Sequence, residues 1–416
     1  MLTKKVSEMK RSPLRRRRGD RIEQEILTEE NTVAEIIDES AQTAPIPPKK
    51  PRYWVLRHLI SAAIPVLFIT LFYILCRNKN IMDAVFSHFS TPVRNFSGTV
   101  SAFLSDRSSK IFSVMELVFT LGILWILYFI VKTIVLLFRR DKKLETLAKR
   151  LFTLLLVFLY IWAAFCWLWG TGYYGSGFSE KAGIAAPPPS LEELCAVAAI
   201  FSEKANELST RVKRDKNGQF SENMDDFFAS SQFVYDNIIL EFPVLDGKWH
   251  PPQAMFYSKL ISYMGFTGIY FPFAGETNIN IDAPLCLMPA TIAHELAHQR
   301  GITSEQEANF AAISACITSG DTVYEYSGYL LGLINLIKAI NKADASVGQM
   351  LYAELTDEVL TDLRANSEYW AKMESPVDKV FSTVYDNYLK VNNQTLGMQS
   401  YGACVDLLVA WIYAKQ

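Results

Sequence analysis

The residues best equipped for chemistry lie between Met288 and Gly320, in the run MPATIAHELAHQRGITSEQEANFAAISACITSG. His294 and His298 are four apart, so on a helix both imidazoles leave one face and can converge on a single metal ion. Glu295 stands beside them, where a carboxylate can take a proton from a water at the metal without itself being a ligand. Catalytic zinc takes three protein groups and keeps a fourth position open, so a third ligand is needed. Gly301 lets the chain reverse after the second histidine, and Ser304 opens the next helix. That reversal returns two carboxylates, Glu305 and Glu307. Ser304-x-x-Glu307 has capping-box spacing, with Glu307 expected to reach back to the Ser304 amide, which leaves Glu305 as the better third ligand. Asn309, one turn further on, is expected to orient Glu305. The bland alternative is an exposed helix with two solvated histidines and a capping glutamate. The glycine turn and the positioned third carboxylate argue against it.

These side chains need two closely packed helices. Pro289 suits the first turn, Arg300 the last, and Gly301 the C′ position. Ala308, Ala311, Ala312 and Ala315 let the second helix approach the first. Helical periodicity also predicts helices over Leu191 to Val212, Asn223 to Leu240, Val323 to Ile340, Leu351 to Lys372, Val377 to Val391 and Tyr401 to Ala414. Of these, Val323 to Ile340 holds an apolar run too short to span a membrane and is read as a core helix. Two extended runs, GIYFPF and TNINI, flank Gly275, and Pro272 confines the first to a sheet edge.

A Tyr or His often stabilises the oxyanion in metallopeptidases. Tyr324, Tyr326, Tyr329 and His250 are the candidates, against core packing for the tyrosines and plain exposure for His250. Cys195, Cys286, Cys316 and Cys404 lack CxxC spacing, so no second metal site is expected. Cys195, Cys316 and Cys404 sit in small-residue helical surroundings, where buried free thiols are at least as good a reading as disulfides.

Half of the 416 residues are hydrophobic and the net charge is −2, so no charge imbalance points to nucleic acid. Residues 1–52 carry a basic cluster (Lys10, Arg11, Arg15 to Arg18), an acidic stretch and a proline-rich end, and read as a disordered cytoplasmic tail. Three apolar runs follow: Leu59 to Cys76, Val114 to Phe138 and Leu151 to Gly170, each near the roughly 20 residues that cross a bilayer. A cleavable signal peptide is not expected behind a charged tail. Phe165, Trp167 and Trp169 read as an interfacial aromatic belt, and Glu116 and Lys132 as snorkelling charges. Basic residues before the first run and between the second and third (Arg139, Arg140, Lys142, Lys143, Lys149, Arg150) place those stretches in the cytoplasm. The Ser-rich loop from Arg77 to Phe112 and residues 171–416 then lie outside. The chain divides into a tail over 1–52, a membrane domain over 53–170 and an extracytoplasmic domain over 171–416.

HELAH followed by ExxAN resembles the zincin metallopeptidases of the Glu-zincin type, whose third ligand is the glutamate of an ExxA[ND] segment. The metzincin pattern fails, since its third histidine would fall at Ser304. PFAGETNIN, residues 272–280, together with HELAHQRGITSEQEANF, is similar to the bacterial membrane proteins of the domain-of-unknown-function 3810 family, roughly from Tyr53 to the end. Leu245-Asp246-Gly247 resembles a signature of intramembrane site-2 proteases, but the order of motifs is wrong and the motif helix is too polar to span. The resemblance implies a membrane-anchored metallopeptidase with Zn2+ as cofactor, a peptide or protein substrate, and the lipid bilayer as partner. It also implies that GETNIN is an edge strand pairing with extended substrate. Glu276 and Asn278 would lie there or line the cleft, the alternative being an ordinary hairpin. The expected fold is mainly α: three transmembrane helices, then a helical zincin-like domain with a small hairpin or edge strand. The rival function is a membrane-bound binding or regulatory module with structural zinc, which would need a fourth protein ligand.

Overall fold

The computed structural model describes residues 53–107, 113–140, 142–391 and 401–415. The expected tail over 1–52 lies outside the described residues. Apolar runs without hydrogen-bonding side chains must satisfy their own backbone, and here they do so as helices: α1 (Tyr53–Leu75), α3 (Val114–Arg139) and α4 (Lys143–Phe165), with α2 (Thr91–Arg107) between the first two. Past Phe165, α4 continues through one π-helical turn (Cys166–Gly170) to Tyr173. Three helices, α1, α3 and the extended α4, are thus long and apolar enough to cross a bilayer.

The described part of the stretch read as an outer loop, residues 77–107, is instead largely helical, with Lys79–Val85, a π-helical turn at Phe86–Ser90, and α2. Ser90, Ser101 and Ser105 are buried there. Ser90 Oγ donates to the Trp167 carbonyl at 2.6 Å, and Ser101 Oγ to Glu276 at 2.9 Å.

Most of the remaining helices share one apolar core. Helix α5 (Leu191–Ser209) begins at a Ser190/Glu193 capping box and packs on α8 (Thr322–Ala343). Helix α6 (Met288–Gln299) and helix α7 (Glu305–Thr318) lie against α8, and α11 (Tyr401–Tyr413) closes over α7. Ala308, Ala311, Ala312 and Ala315 are fully buried, as the close approach of α6 and α7 demands. The apolar run in α8 is core, with Leu330, Leu333 and Leu336 buried. Two expected helices are broken. Asn223 to Leu240 divides into Met224–Ser230, a 3-10 turn and Ile238–Glu241, because Asn237 turns outward to donate to the Thr318 carbonyl at 2.7 Å. Leu351 to Lys372 divides into Ala345–Ala353, started by the Asp344 cap, and α9 (Asp357–Met373). Helix α10 (Pro376–Val391) follows.

A small sheet completes the fold: β1 (Gln253–Ala254), β2 (Gly268–Phe271) and β3 (Glu276–Ile279), in the order β1-β3-β2. Strand β3 runs parallel to β1 and antiparallel to β2, with Tyr270 opposite Thr277. The edge assignment for GIYF stands, but GETNIN is the central strand, buried along its whole length. It cannot offer an edge to a substrate. All six cysteines are free thiols, and Cys286, Cys316 and Cys404 are buried.

Candidate metal centre

The turn that ends α6 builds half the centre. Gly301 takes φ +98°, a conformation only glycine adopts without strain. The Gly301 and Ile302 amides then close on the His298 and Ala297 carbonyls. This aims the Ile302 carbonyl at His298, whose Nδ1 donates to it at 2.6 Å. A carbonyl can only accept, so in the neutral ring the proton sits on Nδ1 and Nε2 presents its lone pair to the site.

Ser304 caps α7 through its backbone geometry and Glu305 is the first helical residue. The Glu305 carboxylate stands 3.3 Å from His294 Nε2 and 3.6 Å from His298 Nε2. The three donor atoms lie within 4.8 Å of one another. Tetrahedral ligands about 2 Å from zinc are separated by about 3.3 Å, so the constellation has the dimensions of a zinc site. Electrostatics agree with that. Burial pulls the His298 pKa down, but Glu305 outweighs it and holds the imidazole up at about 9. Burial would push Glu305 up, yet the two histidines hold it well below the usual carboxylate range. A carboxylate that so favours an imidazolium favours a metal cation by the same attraction.

Glu295 is buried beside the pair. Burial raises its pKa against the pull of His294 and His298, and its Oε2 has no partner among the described residues. Gly268 of β2 is packed so tightly on it that a Cβ there would come within 2.6 Å of the Glu295 Cγ. Any side chain at position 268 would therefore displace the carboxylate. These groups open on a cavity of ≈ 620 Å³ whose lining among the described residues contains no Lys or Arg.

Several expected roles fall elsewhere. Glu307 does not cap its own helix: its carboxylate accepts from the Phe178 amide (2.8 Å), the Ser179 amide (2.9 Å) and the Ser179 hydroxyl (2.8 Å). It caps the short helix Phe178–Ala182 across the fold, a distant N-terminus with unpaired amides being a stronger attractor than the half-buried Ser304. Asn309 lines the cavity, but the hydroxyl that donates to Glu305 is that of Tyr385, at 2.6 Å. Tyr326 is fully buried and donates to Asp362 at 2.6 Å, in a cluster with Arg214. Tyr324 donates to the Phe227 carbonyl and Tyr329 packs on Phe201. None of the three lines the cavity. His250 is buried rather than exposed, because Gln299 clamps its backbone N–H (2.8 Å) and carbonyl (3.1 Å). Asn278 spends its amide on the Ile269 and Glu276 carbonyls.

Glu276 supplements the Ser113 cap of α3 from across the fold. It accepts from the Val114 amide (3.1 Å), the Met115 amide (2.9 Å) and two serines of α2. Glu116 returns the contact, accepting from the Phe256 and Tyr257 amides at 3.0 and 2.7 Å rather than snorkelling. The belt reading of the third span also fails in part. Trp169 is buried with its ring centroid 5.9 Å from His298, and Phe165 lines the cavity.

Residues 93–409 match the family described as Protein of unknown function (DUF3810). The chain belongs to this family. No curated protein and no solved structure matches it. The DUF3810 match begins inside α2, later than the Tyr53 read from sequence, and ends inside α11. It therefore covers the second and third long apolar helices, the sheet, and α6 and α7. Tyr385, which lines the cavity and donates to Glu305, is a residue that spacing missed. The only local signal is a tyrosine on an amphipathic helix, which fits any core position.

Proposed function

We propose that this chain is a membrane-anchored zinc metallopeptidase hydrolysing peptide bonds outside the cytoplasm. One observation carries the reading: His294, His298 and Glu305 converge at zinc-ligand spacing, while Glu295 brings an unpartnered carboxylate oxygen to the same cavity. Zinc bound there supplies Lewis acidity toward the scissile carbonyl. Glu295 takes the proton of the attacking water and delivers it to the leaving amine, a task suited to a carboxyl whose pKa burial raises. Tyr385, whose hydroxyl lines the cavity and donates to Glu305, takes the oxyanion role in place of Tyr326 and His250. The structural-zinc alternative lacks support, because the described residues offer three ligands and no fourth.

Metal stoichiometry on the full-length chain tests the reading. One zinc per chain is expected, lost in Glu305→Ala and kept in Glu307→Ala. The latter is expected to lose about 2 kcal/mol of stability, since it strips three hydrogen bonds from a charged acceptor. Zinc retained by Glu305→Ala would remove the third ligand and the proposal with it.

The orientation is proposed from the basic residues between the second and third spans. A reporter after Gln416 is expected to behave as extracytoplasmic and one between Arg140 and Lys149 as cytoplasmic. The reverse pattern would place the centre in the cytosol.

A further inference from the structure

The centre and the membrane helices are in direct contact. Phe165, inside the third apolar helix, lines the cavity, and Trp169 one turn on packs against His298. The second span is engaged along its side as well. The Tyr257 hydroxyl lies 3.3 Å from Thr120 Oγ1, and the Phe271 ring, at the end of β2, is 5.7 Å from Phe119. Thr120 stands about 9 Å into a helix that starts at Val114, at the usual rise per residue.

Two segments flank the cavity, and both present apolar side chains outward. Phe256 (62% exposed), Leu260 (57%) and Tyr263 (41%) lead straight into the Gly265–Tyr270 wall. Val380 (60%) and Val384 (61%) share a face of α10 beside Tyr385. Contiguous apolar exposure of this kind marks an interface. Its occupant is the bilayer, because the first of these segments starts against the flank of a span that the bilayer itself surrounds.

We propose that this rim is seated in the bilayer surface, and that the site receives the membrane-proximal stretch of a polypeptide itself anchored in the membrane. The substrate half rests on the peptidase reading; the lipid half does not. Among the described residues the cavity lining has no Lys or Arg, the side chains that commonly grip a phosphate headgroup. The wall strand β2 is an edge, with main-chain groups able to take an extended chain. Both features favour an uncharged polypeptide over a lipid.

The test uses the full-length chain in phospholipid nanodiscs. An environment-sensitive fluorophore is placed at Leu260→Cys, at Val384→Cys and, as a control, at Met350→Cys, a 60% exposed position on the helix Ala345–Ala353. The signal of the unsubstituted chain is subtracted. Quenching by spin-labelled lipid is expected to be at least about twofold stronger at the two rim positions than at Met350. Equal quenching overturns the rim. For the substrate half, a photo-crosslinkable uncharged tail is offered to Glu295→Gln, either behind an apolar span or free in solution. Capture at β2 and α4 is expected to favour the anchored tail at least about tenfold, and to be lost in Leu260→Glu/Val384→Glu. Equal capture overturns it. Should the anchored tail be captured at the cavity while zinc-loaded wild type cleaves neither probe, the peptidase reading fails and the rim stands. Should wild type cleave free and anchored tails alike, the peptidase reading stands and this inference fails.

Discussion

Glu295→Gln is expected to bind one zinc, stay folded, and lose at least about a hundredfold of any hydrolytic activity, the usual scale for removal of a general base. The substitution keeps the shape that Gly268 is packed against, so the close contact is undisturbed. It also replaces a buried carboxyl by a neutral amide, which costs the fold little because burial already disfavours the charged form. Activity and stability are thus separable at this position. The decisive comparison is with His294→Ala: if Glu295→Gln keeps full activity where His294→Ala has none, the metal is structural and the peptidase reading falls. Zinc content measured on the same samples keeps that result from being confused with metal loss.

Glu276→Ala is expected to lower stability by about 3 kcal/mol or more, the largest loss anticipated from any single polar side chain here. Its carboxylate is buried and accepts four hydrogen bonds, two of them from the first amides of α3. Truncation leaves those donors without a partner at the N-terminus of a membrane helix, where the helix dipole favours a negative charge. Glu276→Gln keeps an acceptor but not the charge, and is expected to lose roughly half as much. Thermal unfolding in detergent with zinc held in excess reads the effect. A substrate-binding role for Glu276 predicts the opposite division, with normal stability and a raised KM.

How much of this was legible without coordinates follows from sequence distance. The three side chains proposed as ligands are brought together by local geometry: His294 and His298 are one helical turn apart, and Gly301 and Ser304 return Glu305 within a few residues. Helix periodicity and the roughly 20-residue apolar runs are equally local, so the mainly α architecture and the three long apolar helices could be read directly. Pro272 marked β2 as an edge because a missing N–H is a property of the residue itself.

What only the tertiary structure decided are the partners of polar side chains. Tyr385 meets Glu305 across 80 residues, Glu307 meets Phe178 across 129, and Glu276 meets Met115 across 161. A carboxylate goes to the strongest unpaired donors within reach, and the chain's path, not its spacing, determines which donors those are. Ser304-x-x-Glu307 has the right spacing for a capping box, yet an incoming helix N-terminus outcompetes the local amide. Trp169 shows the same limit for aromatic residues. An indole at the end of an apolar run suits a bilayer interface or the wall of a metal site equally well, and only the packing of α4 on His298 separates the two.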